Sequence, residues 1–209
     1  MKKVFLLIIL LLIIGCTSSG SLNYGLGENN PFTFKTEESS VKTALIILPP
    51  QDFRDDEFFV LKGILNNAGI SVLAVTNGVS QAKDISGNLI KANLDLSQVD
   101  LNKVDAIIFV SDFGAKSYFE DKKILEFVKK ANDQDKIIAA IGTSPSILAN
   151  AGILNGKKAT SAGSEQNNLL QKKVKYILQP ITTEGNIITC QGIQYLQLFG
   201  KEITFLLNH

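Results

Sequence analysis

A strand-to-helix turn within residues 136–154 constrains the fold more than any other stretch of this chain. An apolar run over residues 137–141 stops at Gly142, and a helical pattern opens shortly afterwards at Pro145. In many α/β hydrolytic folds, such a bend presents one nucleophilic side chain to a cleft beside a helix N-terminus. Here the bend carries glycine, which has no side chain. The turn therefore predicts an α/β fold with a cleft, and it argues against a nucleophile at this position.

The rest of residues 42–209 alternates between apolar runs and amphipathic stretches. Continuous apolar runs predict strands buried on both faces, and apolar residues at helical spacing predict helices. The predicted strands cover residues 42–50, 70–76, 105–111, 137–141 and 186–190, and the predicted helices cover residues 55–68, 117–132, 145–154, 165–174 and 193–207. Residues 80–100 predict a small hairpin that turns at Gly87-Asn88. The alternation indicates one domain, a three-layer α/β/α sandwich around a mostly parallel sheet.

The first 15 residues have the pattern of a signal peptide. Lys2 and Lys3 precede an apolar run over residues 4–14. A helix of that length is too short to cross a hydrocarbon core of about 30 Å, so a signal peptide over residues 1–15 is favoured over a permanent membrane span. The protein is therefore expected to be exported.

The residues around Cys16 predict a lipid anchor. The sequence Ile13-Ile14-Gly15-Cys16 resembles the prokaryotic lipobox, in which a cysteine receives lipid on its sulfur. Residues 16–41 are rich in Ser, Gly and Asn and predict a flexible tether. We expect the protein on the outer side of the cytoplasmic membrane, or in an outer membrane where the cell has one. An ordinary signal peptide, or an uncleaved anchor with an incidental cysteine, is the alternative.

The charge balance argues against nucleic acid as a partner. The chain has 21 Lys and Arg residues against 20 Asp and Glu residues, a formal net charge of +1. It therefore has no basic surplus to neutralise phosphates. The motifs CxxC and HExxH and a Walker-type phosphate loop are all absent from the sequence. We therefore expect no cofactor and no metal.

Four stretches carry a resemblance to a known family. They are QDFRDDEFF, VDAIIFVSDFGAKSYFED, IAAIGTSPSILANAGILNGKKATS and ITCQGIQYLQLFGKEITFLL. On these stretches, residues 43–207 are identified as a member of the ThiJ/PfpI family, in the class I glutamine-amidotransferase-like superfamily. The resemblance implies a flavodoxin-like fold, protease-like, glyoxalase or deglycase chemistry at an elbow cysteine, and a homo-oligomer of identical chains.

The chain departs from the family pattern at each part of that chemistry. Gly142 stands at the position of the family's cysteine, and Thr143 stands where His often follows. Arg54 is matched to an acidic residue that contacts the nucleophile, and Asp112-Phe113 is matched to the Gly-Gly pair of the oxyanion site. An anionic Asp112 and a bulky Phe113 would oppose the stabilisation of an oxyanion. Cysteine-dependent family activity is therefore not expected.

Replacement nucleophiles are weakly indicated. Ser144 lies at the predicted helix start, where serine usually acts as a cap, and the sequence places no base beside it. Cys190 follows a predicted strand and is typical of a small packed residue. His209 is the last residue, and a chain end is a poor position for a general base.

Two functions follow from these observations. The first is a membrane-tethered, non-catalytic binding or structural module whose ligand cleft is lined by Arg54, Asp112, Phe113, Gly142 and Thr143. The alternative is a divergent hydrolase or lyase that uses Ser144, Cys190 or the carboxylates after the first and third large strands. Those carboxylates match no calcium loop and are better explained as a solvated helix start. The sequence therefore predicts a cleft and leaves its ligand open.

Overall fold

The computed structural model describes residues 41–209 of the 209-residue chain. The predicted signal peptide (residues 1–15), the lipidation site Cys16 and all but the last residue of the predicted tether (residues 16–41) lie outside the described residues. Within residues 41–209, no helix combines the length and the apolar character needed to cross a membrane.

Strands and helices alternate along the described part of the chain. The strands are β1 (Thr43–Ile47), β2 (Gln51–Phe53), β3 (Ser71–Thr76), β4 (Gln81–Asp84), β5 (Leu89–Lys91), β6 (Leu94–Asp95), β7 (Ala106–Phe109), β8 (Ile137–Ile141), β9 (Lys158–Ala159), β10 (Lys175–Tyr176), β11 (Ile181–Glu184) and β12 (Ile187–Cys190). The α-helices are α1 (Asp55–Asn67), α2 (Lys122–Asp133), α3 (Pro145–Asn150), α4 (Gln166–Gln171) and α5 (Leu196–Asn208).

Seven of these strands form the central sheet, in the spatial order β11-β12-β8-β7-β1-β3-β6. Every pairing in this sheet is parallel except that of the edge strand β11 with β12, which is antiparallel. Strands β2, β4 and β5 form a separate small sheet, and β9 pairs with β10. The predicted mostly parallel sheet is therefore confirmed.

Helices cover both faces of the sheet. Successive side chains of a strand point to opposite faces, so Leu45 and Ile47 of β1 join one hydrophobic core while Ala44 and Ile46 join the other. The first core contains residues of α2, α3 and α4, and the second contains residues of α1 and α5. Burial on both faces explains why the central strands are continuously apolar. The predicted three-layer sandwich is confirmed.

Several helices differ from their predicted bounds. The helix predicted over residues 165–174 covers Gln166–Gln171, and the helix predicted to begin at residue 193 begins at Leu196. The helix predicted over residues 117–132 begins at Lys122, because the Asp121 side chain accepts hydrogen bonds from the backbone N–H groups of Lys123 and Ile124. A 3-10 helix over Phe113–Tyr118 precedes it. The helix predicted over residues 145–154 ends at Asn150 and continues as turns.

The strand order places a crevice at one edge of the sheet. From β1 the chain first adds β3 on one side and later β7 on the other. Ligands of open α/β sheets bind beside such a reversal, outside the carboxyl ends of the strands. The segments that follow β1, β7, β8 and β12 meet at this edge and enclose the candidate site.

Candidate functional site

A cavity of about 490 Å³ lies at the carboxyl edge of the central sheet. Its lining residues come from the start of α1 and from the segments after β7, β8, β9 and β12. They are Arg54, Glu57, Ser111, Asp112, Gly142, Thr143, Ala162, Gly163, Gln191, Gly192, Ile193 and Gln194. The cavity is therefore lined by polar and apolar groups together, and it is formed by residues far apart in the sequence.

The structure brings four of the five predicted cleft residues to this cavity: Arg54, Asp112, Gly142 and Thr143. Phe113 does not join them. Its side chain is 72% exposed and lies in a separate depression with Pro50 and Ser117. Phe113 therefore does not fill the space above Gly142, and the expectation that it lines the cleft is corrected.

Gly142 forms the bend between β8 and α3. Its φ is +62°, in the left-handed region that glycine adopts without steric cost. A Cβ atom at this position would lie 2.7 Å from both Cβ and Oγ of Ser111, which is closer than side chains can pack. The Gly142 N–H donates to the carbonyl of Cys190 at 2.9 Å and so ties the bend to β12. Ser111 therefore occupies the space that a side chain at the bend would need.

Ser111 is held by a buried carboxyl group. Glu57, in the first turn of α1, is 1% exposed and accepts two hydrogen bonds from Ser111. The backbone N–H of Ser111 donates to Oε2 at 2.7 Å, and the hydroxyl donates to Oε1 at 2.5 Å. The acidic residue beside the bend is thus Glu57, which corrects the sequence-based match of Arg54 to that place.

Glu57 titrates near neutral pH. Burial raises the pKa of its carboxyl group to about 7, and the hydrogen bonds from Ser111 and the positive charge of Arg54 only partly oppose this rise. The group is therefore protonated in acid solution and ionised in mildly alkaline solution. A carboxyl group with this pKa can take up and release a proton at the cavity wall.

Arg54 brings a permanent positive charge to the cavity. Its Nε and Nη2 atoms donate to the carboxylate of Asp56 at 3.2 Å and 2.9 Å. Its Nη1 atom lies 3.9 Å from Oδ2 of Asp112. The hydrogen bond with Asp56 raises the pKa of the guanidinium, which stays charged. The two carboxylates hold Arg54 in place at the cavity.

Asp112 has a backbone conformation that is unusual for its residue type. Its φ is 90°, a value that favours glycine, and its side chain accepts from the N–H of Phe113 at 2.9 Å. Its carbonyl accepts from Oγ1 of Thr143 at 3.0 Å. Phe113 begins a 3-10 helix. In this loop, the conformation that favours glycine is therefore found at Asp112, and Phe113 is not among the residues with a positive φ.

Neither of the weak nucleophile candidates, Ser144 and Cys190, lines the cavity. Ser144 is fully buried, and its hydroxyl donates to the carbonyl of Val110. Cys190 is also fully buried; burial raises the pKa of its thiol to about 12, and its sulfur donates to the carbonyl of Gly192 at 3.5 Å. Both side chains are engaged in packing and hydrogen bonding. Neither is available to a ligand in the cavity.

His209 lies at the opposite edge of the sheet. Its ring stacks on Phe205, and it lines a depression with Lys42 and Asp105, which precede β1 and β7. It is therefore remote from Gly142. Among the described residues, no group of three or more His, Cys, Asp and Glu side chains is arranged to hold a metal ion.

The sequence analysis missed three polar residues of the site, Ser111, Gln191 and Gln194, and included Glu57 only as one of the carboxylates after the first large strand. A signal for Glu57 was present, because helical spacing places it on the same face of α1 as the buried Leu61 and Leu65. An acidic residue on an apolar stripe needs a partner inside the protein. Ser111 simply follows an apolar strand, and no local pattern distinguishes it.

Comparisons with known proteins agree with this architecture. Residues 42–205 match the DJ-1/PfpI family. Protein MJ0967 of Methanocaldococcus jannaschii is 32% identical over 172 residues, which cover 81% of this chain and 84% of that protein. Deglycase PfpI of Pyrococcus furiosus is 24% identical over 166 residues, with 78% and 99% of the two chains covered.

A solved structure gives the same result for the fold. The crystal structure of a ThiJ/PfpI domain protein from Brachyspira murdochii is 26% identical and superposes with a TM-score of 0.77, covering 80% of this chain and 97% of that one. The family match spans most of the described residues, including the bend at Gly142. The chain therefore belongs to the DJ-1/PfpI family.

Proposed function

We propose that the domain binds a small polar ligand in the cavity beside Gly142 and works without the thiol chemistry that the resemblance implies. One observation carries this proposal: Gly142 has no side chain, and Ser111 fills the space where one would stand. A cysteine at the bend would overlap with Ser111 unless one of the two residues shifted. Loss of a nucleophile costs many powers of ten in rate.

The cavity has the properties of a small-molecule site. Its volume of about 490 Å³ falls within the usual range for ligand pockets. Arg54, Glu57, Thr143 and Gln194 contribute charged, amide and hydroxyl groups around it. A relative is named a deglycase, but the residues available here differ from a thiol site. These groups support recognition by hydrogen bonds and charge.

The alternative of a divergent hydrolase or lyase relies on Ser144, on Cys190 or on the carboxylates after the first and third large strands; the first two can be judged from their surroundings. Both side chains are buried, and both donate to backbone carbonyl groups. The thiol of Cys190 has a raised pKa and is therefore not a thiolate at neutral pH. These two residues give that alternative no support.

We further propose that the domain is tethered to a membrane through lipid on Cys16. The support is the lipobox-like sequence Ile13-Ile14-Gly15-Cys16 after a basic and apolar start. A polar spacer follows before the folded domain begins near residue 42. The ligand site would then be held at the outer surface of the membrane.

Ligand-observed NMR tests the binding role. The full chain is screened against small esters, amides, alcohols and carboxylates, and each binder is retested with two tryptophan variants. Gly163→Trp places a large side chain in the cavity, while Gly63→Trp places one on an exposed and open part of α1. We expect Gly163→Trp to abolish binding and Gly63→Trp to preserve it. Equal binding by both variants would exclude the cavity as the site.

A further inference from the structure

We propose that Ser111 and Glu57 form a nucleophile and base pair that makes the cavity an acyl-transfer site for small uncharged esters. This inference rests on the proposed function, because it uses the same cavity and names the class of ligand. It assigns a reactive role to Ser111, a residue that the sequence did not single out. The thiol chemistry of the family takes no part in it.

The first support is the geometry of the pair. The hydroxyl of Ser111 donates to Oε1 of Glu57 at 2.5 Å, which is within reach for direct proton transfer. The backbone N–H of Ser111 fixes the other oxygen, Oε2, at 2.7 Å. The carboxylate is therefore held in one orientation by the residue that it would activate. A nucleophile hydrogen-bonded to an oriented base is the general signature of an activated serine.

The second support is access. Ser111 and Glu57 both line the cavity, although each is buried within the protein. Because a Cβ atom at Gly142 would lie 2.7 Å from Oγ of Ser111, a side chain there would cover the hydroxyl. Glycine at this position therefore leaves Oγ open to a reactant. The absence of a side chain at Gly142 is thus what leaves the hydroxyl of Ser111 exposed to the cavity.

The third support is the charge around the pair. The charged or titratable groups that interact with Glu57 are Arg54 and Asp56 on its own segment and the thiol of Cys190 on β12. Asp112, beyond β7, lines the same cavity and interacts with Arg54. Arg54 contacts the carboxylates of Asp56 and Asp112, and in this proposal its guanidinium also offsets the negative charge of the oxyanion that forms during acyl transfer. Asp112 adds a negative charge that disfavours anionic reactants. An uncharged ester suits this combination.

The proposed reaction uses only the ester and water. Oγ of Ser111 bonds to the ester carbonyl carbon while its proton passes to Glu57, and the carbonyl electron pair moves onto oxygen. The tetrahedral adduct collapses, the bond to the alcohol oxygen breaks, and Glu57 returns the proton to that oxygen. Water then attacks the acyl-serine, again losing a proton to Glu57. Collapse of this second adduct breaks the bond to Oγ and releases the carboxylic acid, and the proton returns to Ser111.

Acetylation by p-nitrophenyl acetate tests the proposal on the full-length chain in detergent. Trypsin cleaves after Lys103 and Lys116 and releases the peptide of residues 104–116, in which Ser111 is the one hydroxyl residue. Trypsin does not cleave after an acetylated lysine, so an acetyl group on this peptide marks Ser111. The mass of the peptide is measured with time, together with release of p-nitrophenolate.

We expect acetylation of this peptide in the wild type and loss of the matching p-nitrophenolate release in Ser111→Ala. Glu57→Gln keeps the shape of the base and is expected to slow acetylation by about 100-fold or more. The wild-type rate should rise about tenfold between pH 6 and pH 8, since the pKa of Glu57 is about 7, whereas the Glu57→Gln rate should lack this step. Ser86→Ala, an exposed serine in the turn between β4 and β5, is the matched control and should behave as the wild type.

The proposal would be overturned by a wild-type protein that shows neither an acetylated peptide nor p-nitrophenolate release that depends on Ser111. It would also be overturned by equal rates in the wild type and Glu57→Gln. If Ser111→Ala fails to fold, the acetylation rate of Glu57→Gln alone decides between the outcomes. Circular dichroism then checks that Glu57→Gln is folded. The cavity variant Gly163→Trp separates the two proposals. Compounds that bind the wild type but not Gly163→Trp would support ligand binding in the cavity. If Ser111 shows no reaction in the same protein, acyl transfer is rejected while the ligand-binding function stands.

Discussion

At the scale of single residues, the central feature is the mutual dependence of Gly142 and Ser111. The bend needs a positive φ, and the volume beside it already holds the serine side chain. A larger residue at 142 therefore meets two separate penalties, one from the backbone and one from overlap. The two positions should behave as a coupled pair.

Gly142→Ala should lower the free energy of unfolding by about 3 kcal/mol, the sum of these two penalties. In a Ser111→Gly background the overlap disappears, and the same substitution should cost only about 1 kcal/mol. Urea unfolding of the four proteins of this double-mutant cycle measures the coupling. Additive effects would show that the two side-chain positions do not compete for space.

The titration of Glu57 should make stability depend on pH. Its pKa rises from an ordinary value of 4.5 to about 7 on folding, so the folded chain binds this proton more tightly than the unfolded chain does. The resulting stability is fully present below pH 4.5 and is lost as pH rises through 7. Wild type should lose about 3 kcal/mol over this window relative to Glu57→Gln. Denaturant unfolding at several pH values checks this, and parallel curves for the two proteins would contradict it.

At the scale of elements, helix ends are set by local caps. Asp121 accepts from two backbone N–H groups at the start of α2, and its Oδ2 accepts from Nδ2 of Asn77 at 2.8 Å. Asp121→Ala removes both kinds of contact. Asp133, the last residue of α2, is exposed and lies at the opposite end of the same helix.

Asp121→Ala should lower the free energy of unfolding by about 1 to 2 kcal/mol through loss of the cap. Asp133 lies at the C-terminus of α2, where a negative charge is unfavourable. Asp133→Ala should therefore change the free energy of unfolding by less than about 0.5 kcal/mol. Thermal and urea unfolding of both variants test this difference. Equal effects would mean that Asp121 contributes no more than an ordinary surface aspartate.

Much of the fold could be predicted because buried parallel strands have a strong sequence pattern. The continuous apolar runs of β1, β7 and β8 can be recognised in the sequence alone. The edge strand β11, with the sequence ITTE, was missed, because an antiparallel edge strand is only partly buried and its short pattern is ambiguous. The predicted early start of α2 failed because Asp121 was not recognised as its cap.

The site was harder to predict than the fold. The bend at Gly142 could be located because a strand and a helix flank it directly. The pairing of Glu57 with Ser111 joins residues 54 positions apart, and no local rule connects them. Their contact depends on how α1 packs beside the end of β7. The sequence could therefore predict the place of the cavity and not its central hydrogen bonds.

At the scale of the whole molecule, a folded domain follows an N-terminal segment whose sequence predicts a lipid anchor. The described domain begins near residue 42, and the proposed anchor is at Cys16. Under the proposed anchor, membrane association of this protein depends on that residue.

Cys16→Ser should shift the protein from the membrane fraction to the soluble fraction and abolish incorporation of a radiolabelled lipid precursor. Cys190→Ser is the matched control, because that thiol is buried in the domain and should have no effect on lipid incorporation. Fractionation and autoradiography measure both. Lipid incorporation that persists in Cys16→Ser would overturn the proposed anchor.

The position of Lys42 and His209 shows how the two edges of the sheet differ. Lys42 immediately precedes β1 and shares a depression with His209, at the amino edge of the sheet. The cavity around Ser111 opens at the carboxyl edge. The first strand of the described domain and its last residue therefore meet on the side away from the cavity. A change at either Lys42 or His209 can reach a bound ligand only through the sheet.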